Sequence, residues 1–168
     1  MTKKIFAIIL SFSIVLSGMS VFADMTWETT GENLIYNPEF KSGIGDWYYP
    51  SGIFQYDSAV GHNSPGAGLV TGRTNTNQQV YQPLKLEKDA TYLVSVWVKL
   101  KDAKYDGKKI QLLASNSTMI TDYGSFLEAY ASKWVELKKT IVVDNAQQSV
   151  NVGVANYTSP ELEFYIDD

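Results

Sequence analysis

From Asn33 onward, apolar and polar positions alternate in short runs broken by Gly, Pro, Asn and Ser. A period of two marks a strand with one buried face, whereas a surface helix repeats its apolar positions every three to four residues. The strongest run is Thr91–Leu100, with Tyr92, Val94, Val96 and Val98 on one face and Leu93, Ser95, Trp97 and Lys99 on the other. Lys109–Ser115 alternates likewise, placing Ile110, Leu112 and Ala114 together. Val135, Leu137, Lys139 and Ile141 are in phase within Trp134–Val143, as are Val150, Val152 and Val154, and finally Leu162, Phe164 and Ile166. Shorter strands are predicted at Asn33–Phe40, Trp47–Tyr49, Ile53–Tyr56, Gly68–Thr71, Gln78–Gln82 and Phe126–Tyr130. No window sustains a helical period. About ten strands at these turn spacings predict a single all-β domain, a two-sheet β-sandwich of jelly-roll type. The last run, marked by Leu162, Phe164 and Ile166, stops at Asp168 while its alternation is still under way, which predicts a domain truncated at its last strand.

The first residues follow a different pattern. Lys3 and Lys4 precede an apolar run from Ile5 to Leu16, and Ser17–Ala23 ends on a small residue. That order is the signature of a secretory signal peptide cleaved after Ala23, and its core is short for a permanent membrane span. Residues 24–32 read as an N-terminal tail and 33–168 as the sandwich. Cleavage would leave 145 residues, the size of one domain, in a secreted, extracellular or cell-surface protein.

Charge and composition then narrow the chemistry. The net charge of −4 becomes −6 once the two leader lysines are gone, which argues against nucleic acid or an anionic membrane as partner. With no Cys there is no disulfide, thiolate nucleophile or sulfur-ligated zinc. A single His excludes multi-His metal sites and leaves only one base for a Ser-His-Asp triad. Eleven Tyr against seven Phe is the positive signal, since a Tyr ring offers an apolar face while its hydroxyl stays wet.

Five segments, in order, resemble a known superfamily. Asn33-Leu-Ile-Tyr-Asn-Pro-Glu-Phe-Lys-Ser-Gly43 followed by Asp46-Trp47 is similar to the opening of the carbohydrate-binding modules of families 4, 9, 16 and 22. Gly68-Leu-Val-Thr-Gly-Arg-Thr74 resembles a segment of the xylan-binding family 22 modules in particular. Tyr92–Lys99, Lys133–Leu137 and Phe164–Asp168 correspond to three further segments of theirs. The resemblance implies a jelly roll with a groove on one face, holding β-1,4-xylan or mixed-linkage β-glucan. It also implies a catalytic domain in cis, of endo-xylanase type, to which this non-catalytic module would be accessory.

The chain departs from the family 22 pattern at several points. Asn77 stands where a platform Trp is common, Tyr48-Tyr-Pro-Ser51 where an Arg usually follows the early Trp, and Asn156 where a Glu meets sugar hydroxyls. Tyr123 matches the groove Tyr. In the family, the Glu after the opening Phe and the last Asp of the final strand hold a structural Ca2+. Lys41 occupies the Glu position here, so Glu39 and Asp168 become the metal candidates.

A pyranose is recognised by an aromatic face against its C–H side and by amides or carboxylates at its hydroxyl rim. Gln78, Gln79 and Gln82 with Tyr81, beside Arg73, supply that chemistry, and Tyr49, Tyr123, Asn77 and Asn156 complete the candidate set. Arg73 has an ordinary alternative role, pairing with a nearby acid to hold its loop. Trp47, Trp97 and Trp134 are expected in the core, Trp27 in the tail, and Tyr48, Tyr49, Tyr123 and Tyr130 at the surface. His62, in a Gly/Asn/Ser/Pro loop, has no sequence partner for catalysis. Three functions remain open: glycan binding at a dissociation constant of roughly 10–100 μM, a structural or adhesive sandwich without a sugar site, and a glycosidase. The last would require two carboxylates about 5–10 Å apart, which spacing alone does not single out.

Overall fold

The computed structural model describes residues 7–8, 31–50, 53–116, 121–143 and 147–168. The cleavage point after Ala23 and Trp27 lie outside them. Ten strands occur among the described residues: β1 (Ala7–Ile8), β2 (Phe54–Asp57), β3 (Ala67–Val70), β4 (Val80–Leu86), β5 (Ala90–Leu100), β6 (Lys109–Asn116), β7 (Thr121–Glu128), β8 (Val135–Val143), β9 (Gln147–Ala155) and β10 (Phe164–Asp167). The one helical piece among the described residues is a 3-10 turn at Ala103–Tyr105, capped by the Asp102 carboxylate accepting from the Lys104 N–H at 2.9 Å.

The strands form two antiparallel sheets. In the six-stranded sheet β8 lines one edge of β5, while the other edge takes β10 at Trp97–Leu100 and β1 at Thr91–Tyr92; β3 and β2 follow beyond β10. The four-stranded sheet runs β4-β9-β6-β7. Alternation dictates how they stack: Val96, Val98, Leu100, Leu137, Phe164 and Ile166 of one sheet bury against Val80, Ile110, Leu112 and Val154 of the other. A second cluster continues the core through Leu84, Leu86, Tyr92, Val150 and Val152.

Two expectations are corrected here. Asn33–Phe40 is not a strand. Asn37 and Phe40 both adopt φ +49°, and the Asn37 side chain donates to the Gly43 carbonyl at 2.7 Å and accepts from the Ser42 N–H, folding the segment into a turn. Phe40 still reaches the core, stacked on Trp47 at 5.4 Å. Trp97, expected in the core, lies on the outer face of the six-stranded sheet, opposite to buried Val96 and Val98. The His62 ring covers it at 3.8 Å and 20°, with Trp134 edge-on to His62. An 11-residue strand with apolar residues on both faces does not reveal by period which face meets the other sheet.

Candidate functional site

The outer face of the four-stranded sheet is where a platform can form. On β4, Val80, Gln82, Leu84 and Leu86 turn inward, leaving Tyr81, Pro83 and Lys85 outward. The register then aligns one row across all four strands: Tyr81 opposite Gly153, Gly153 opposite Leu113, and Leu113 opposite Tyr123. Tyr48 extends the row on the free side of β4. Its backbone exchanges two hydrogen bonds with Tyr81, at 2.8 and 3.0 Å. Its ring lies stacked on that of Tyr81, with centroids 5.8 Å apart and planes 18° apart, and Tyr48 is 57% exposed.

Gly153 keeps the floor beside this aromatic pair flat. A Cβ there would run into the Val80 carbonyl oxygen and come within 2.6 Å of the Tyr81 Cβ, so no other residue fits without moving β4. Leu113 is 2% exposed. Above it on β6 stands Gln111, opposite Ala155 on one side and Phe126 on the other. Gln111 is 1% exposed, and neither its amide nitrogen nor its amide oxygen has a hydrogen-bond partner. These residues were not among the sequence candidates, although the alternation of Lys109–Ser115 already sets Gln111 and Leu113 opposite to Ile110, Leu112 and Ala114.

The sequence candidates divide. Tyr81 is in the row, and Tyr123 is in register with it. Three others are buried and bonded within the fold, although Arg73 Nε has no partner among the described residues. Arg73 donates from Nη1 to the Asn156 carbonyl at 2.8 Å and from Nη2 to the Ser159 carbonyl at 2.8 Å, with its guanidinium over the Phe164 ring. Asn156 donates to the Lys109 carbonyl and accepts from the Ser159 N–H at 2.7 Å, pinning the turn after β9. Gln82 faces the core and forms a reciprocal pair with the Tyr36 backbone, accepting at 3.0 Å and donating at 2.6 Å. Gln78 braces its own loop, its carbonyl accepting from the Thr74 and Asn75 N–H groups. Exposed Asn77 is held by a turn bond to the Asn75 side chain. Tyr49 packs edge-on against Phe54 at 5.4 Å rather than joining Tyr48.

The calcium candidates Glu39 and Asp168 lie in contact with side chains of the protein's own. The Glu39 carboxylate is paired with the Lys41 ammonium. Asp168 accepts from Asn63 at 2.6 Å and meets His62 Nδ1 at 2.8 Å. Among the described residues, no group of three or more His, Asp or Glu is arranged to hold a metal ion. Each of the two carboxylates already has a partner of the protein's own. Next to them, burial pushes the Asp167 carboxyl up to about 6, an effect partly opposed by the His62 N–H it accepts at 2.6 Å.

A cavity of 390 Å³ lies between the sheets, against the β5 edge at Leu93–Val96 and beside Leu84, Leu86 and Val152. Gly153, Glu136, Asp167 and Asp168 line it as well.

Residues 32–159 match the family model of a carbohydrate binding domain. The chain belongs to this family. Endo-1,4-beta-xylanase A of Thermotoga maritima is 26% identical over 171 aligned positions that take in 94% of this chain, which spans only 15% of that enzyme. Among solved structures, the second family 22 xylan-binding domain of Xyn10C from Paenibacillus barcinonensis superposes with a TM-score of 0.64 at 17% identity, covering 78% of this chain and 94% of that one. The first family 22 module joined to the family 10 glycosidase module of Clostridium thermocellum xylanase 10B, solved with xylohexaose, gives 0.61 at 15% identity, covering 78% and 26%. At these identities the structures share the fold, a β-sandwich. The chain is therefore a carbohydrate-binding module, and in the Clostridium enzyme the binding and catalytic modules are separate parts.

Proposed function

We propose that this module binds a β-1,4-xylan chain across the outer face of the four-stranded sheet, and that it targets a secreted xylanase carried in cis to its substrate. The observation that carries the reading is the Tyr48–Tyr81 stacked pair beside the flat floor at Gly153. Aromatic faces at one end of a row that crosses the whole sheet suit the C–H sides of successive sugars, and Tyr123 occupies the far end of that row. Support also comes from the xylanase relative and from the xylan-binding domains that share this fold. Mixed-linkage β-glucan, whose β-1,4 stretches share the equatorial linkage of xylan, is the next ligand to try. The leader at 1–23 fits export of such a module.

A structural or adhesive module without a sugar site is the second reading. It is favoured by the engagement of Arg73, Gln82 and Asn156 within the fold. Native gels cast with xylan, barley β-glucan or mannan decide between the two. Retardation in xylan supports the first reading; uniform mobility of a folded protein in all three supports the second.

A further inference from the structure

Gln111 is the anomaly of the platform. Burying a primary amide without partners costs free energy, and native proteins keep such groups only where something else completes them. Its two neighbours across the strands, Ala155 and Phe126, offer no side-chain polar atom, and the backbone groups on either side belong to the β6 ladders. Strand alternation sends Gln111 to the same face as Leu113, one residue pair along β6 from the row that holds Tyr81 and Gly153. The free amide thus belongs to the proposed sugar face rather than to the core between the sheets.

We infer that Gln111 is a specificity-determining residue that receives the vicinal 2-OH and 3-OH of one sugar ring; this rests on the glycan reading given above. An amide offers an acceptor oxygen and a donor N–H side by side, which two adjacent equatorial hydroxyls complement, one donating and one accepting. Xylose and glucose in β-1,4 linkage both present that equatorial pair. Mannose turns its 2-OH axial, and an arabinosyl or acetyl group on O2 or O3 removes a donor and adds bulk. The ligand class that follows is an unsubstituted stretch of β-1,4-xylan or β-glucan. Because the amide is enclosed in the free protein, neighbouring side chains part as the diol arrives. Phe126, opposite on β7 and 52% exposed, has open solvent to turn into.

The inference makes stability and affinity move in opposite directions. Gln111→Leu removes the unpaired amide from an enclosed site, so the full chain is expected to melt at or above the wild-type temperature. The same change is expected to weaken xylohexaose binding by at least tenfold in calorimetric titration. Gln111→Glu, of equal size, keeps the acceptor and loses the donor, and is expected to weaken binding as well should Gln111→Leu fail to fold. Wild type is expected to discriminate against mannohexaose and against an arabinose-substituted xylo-oligosaccharide. Xylohexaose affinity within twofold of wild type in both variants overturns the role of Gln111 while leaving the glycan reading intact. A lower melting temperature for Gln111→Leu also overturns it, since it means that the amide is satisfied in the free protein. No binding of any glycan by wild type overturns both.

Discussion

The Arg73 guanidinium donates to the backbone carbonyl of Asn156 across 83 positions of sequence, at 2.8 Å and out of reach of solvent. Two residues with the chemistry of a sugar rim are thereby turned to structure. Arg73 ties the loop after β3 to the turn after β9, and the Asn156 side chain extends that tie to Lys109 at the start of β6. Replacing Arg73 by Met takes the side-chain donor from the Asn156 and Leu162 carbonyls, while the Ser159 carbonyl keeps the Leu162 N–H. Unsatisfied buried acceptors cost about 1–3 kcal/mol each. Arg73→Met is therefore expected to lower stability by ~2–4 kcal/mol in urea unfolding, with glycan affinity of the remaining folded protein unchanged. A loss of affinity at full stability would return Arg73 to the binding surface.

Tyr48→Ala and Tyr81→Ala separate the platform from the fold. Aromatic contacts of this kind contribute about 0.5–1.5 kcal/mol beyond burial, so each variant is expected to weaken xylan binding by roughly three- to tenfold. Tyr48 is mostly exposed, so its variant should melt close to wild type. Gel retardation equal to wild type in both variants would remove the stacked pair from the site.

Gly153→Ala tests the floor. The added methyl meets β4 backbone atoms that cannot swing aside as a side chain would. Overpacking of this sort costs about 1–3 kcal/mol, and the shift of β4 carries Tyr81 with it. Both the melting temperature and xylan retardation are expected to fall. Crystal or NMR data showing Tyr81 unmoved in a stable Gly153→Ala protein would contradict the argument.

Calcium is expected to be dispensable. Lys41 occupies the Glu39 carboxylate, and Asn63 and His62 occupy that of Asp168. Thermal melts with EDTA or with excess calcium chloride should coincide. A drop of several degrees on chelation would show that the carboxylates exchange these partners for the ion.

Asp167 gives a pH dependence with a definite sign. Its folded value, pushed up by burial to about 6, lies above the ordinary 3.8. Its contribution to stability is therefore complete below pH 3.8 and is lost as pH rises through about 6. Glu163 acts in the opposite sense, held below the ordinary carboxylate range by Lys101 and then Thr71, so that it supports the fold at higher pH. In Asp167→Asn the loss between pH 4 and 7 should disappear, so the melting temperature of the variant gains on wild type across that window. Parallel curves for the two proteins would mean that Asp167 titrates normally.

The strand alternation alone determined the class of fold, most of the strands and which residues of each share a face, because burying one face of a pleated strand leaves a period of two in the residues themselves. It also placed Tyr81 and Gln82 on opposite faces, correctly. What it could not carry is which opposite face looks at the other sheet and which loops close over what remains. Trp97 shows this on β5, where both faces are apolar and only the His62 loop explains the outer one. The same holds for the amides. Gln82, Asn156 and Gln111 are equal in the sequence as sugar-binding side chains. The partners that engage the first two come from Tyr36 and Lys109, 46 and 47 positions away, while among the described residues the third has no hydrogen-bond partner. Periodicity is a local property of the chain, and hydrogen-bond satisfaction is decided by which distant backbone groups packing brings alongside. The tertiary structure alone could therefore distinguish the amides that hold the sandwich from the one buried without a partner.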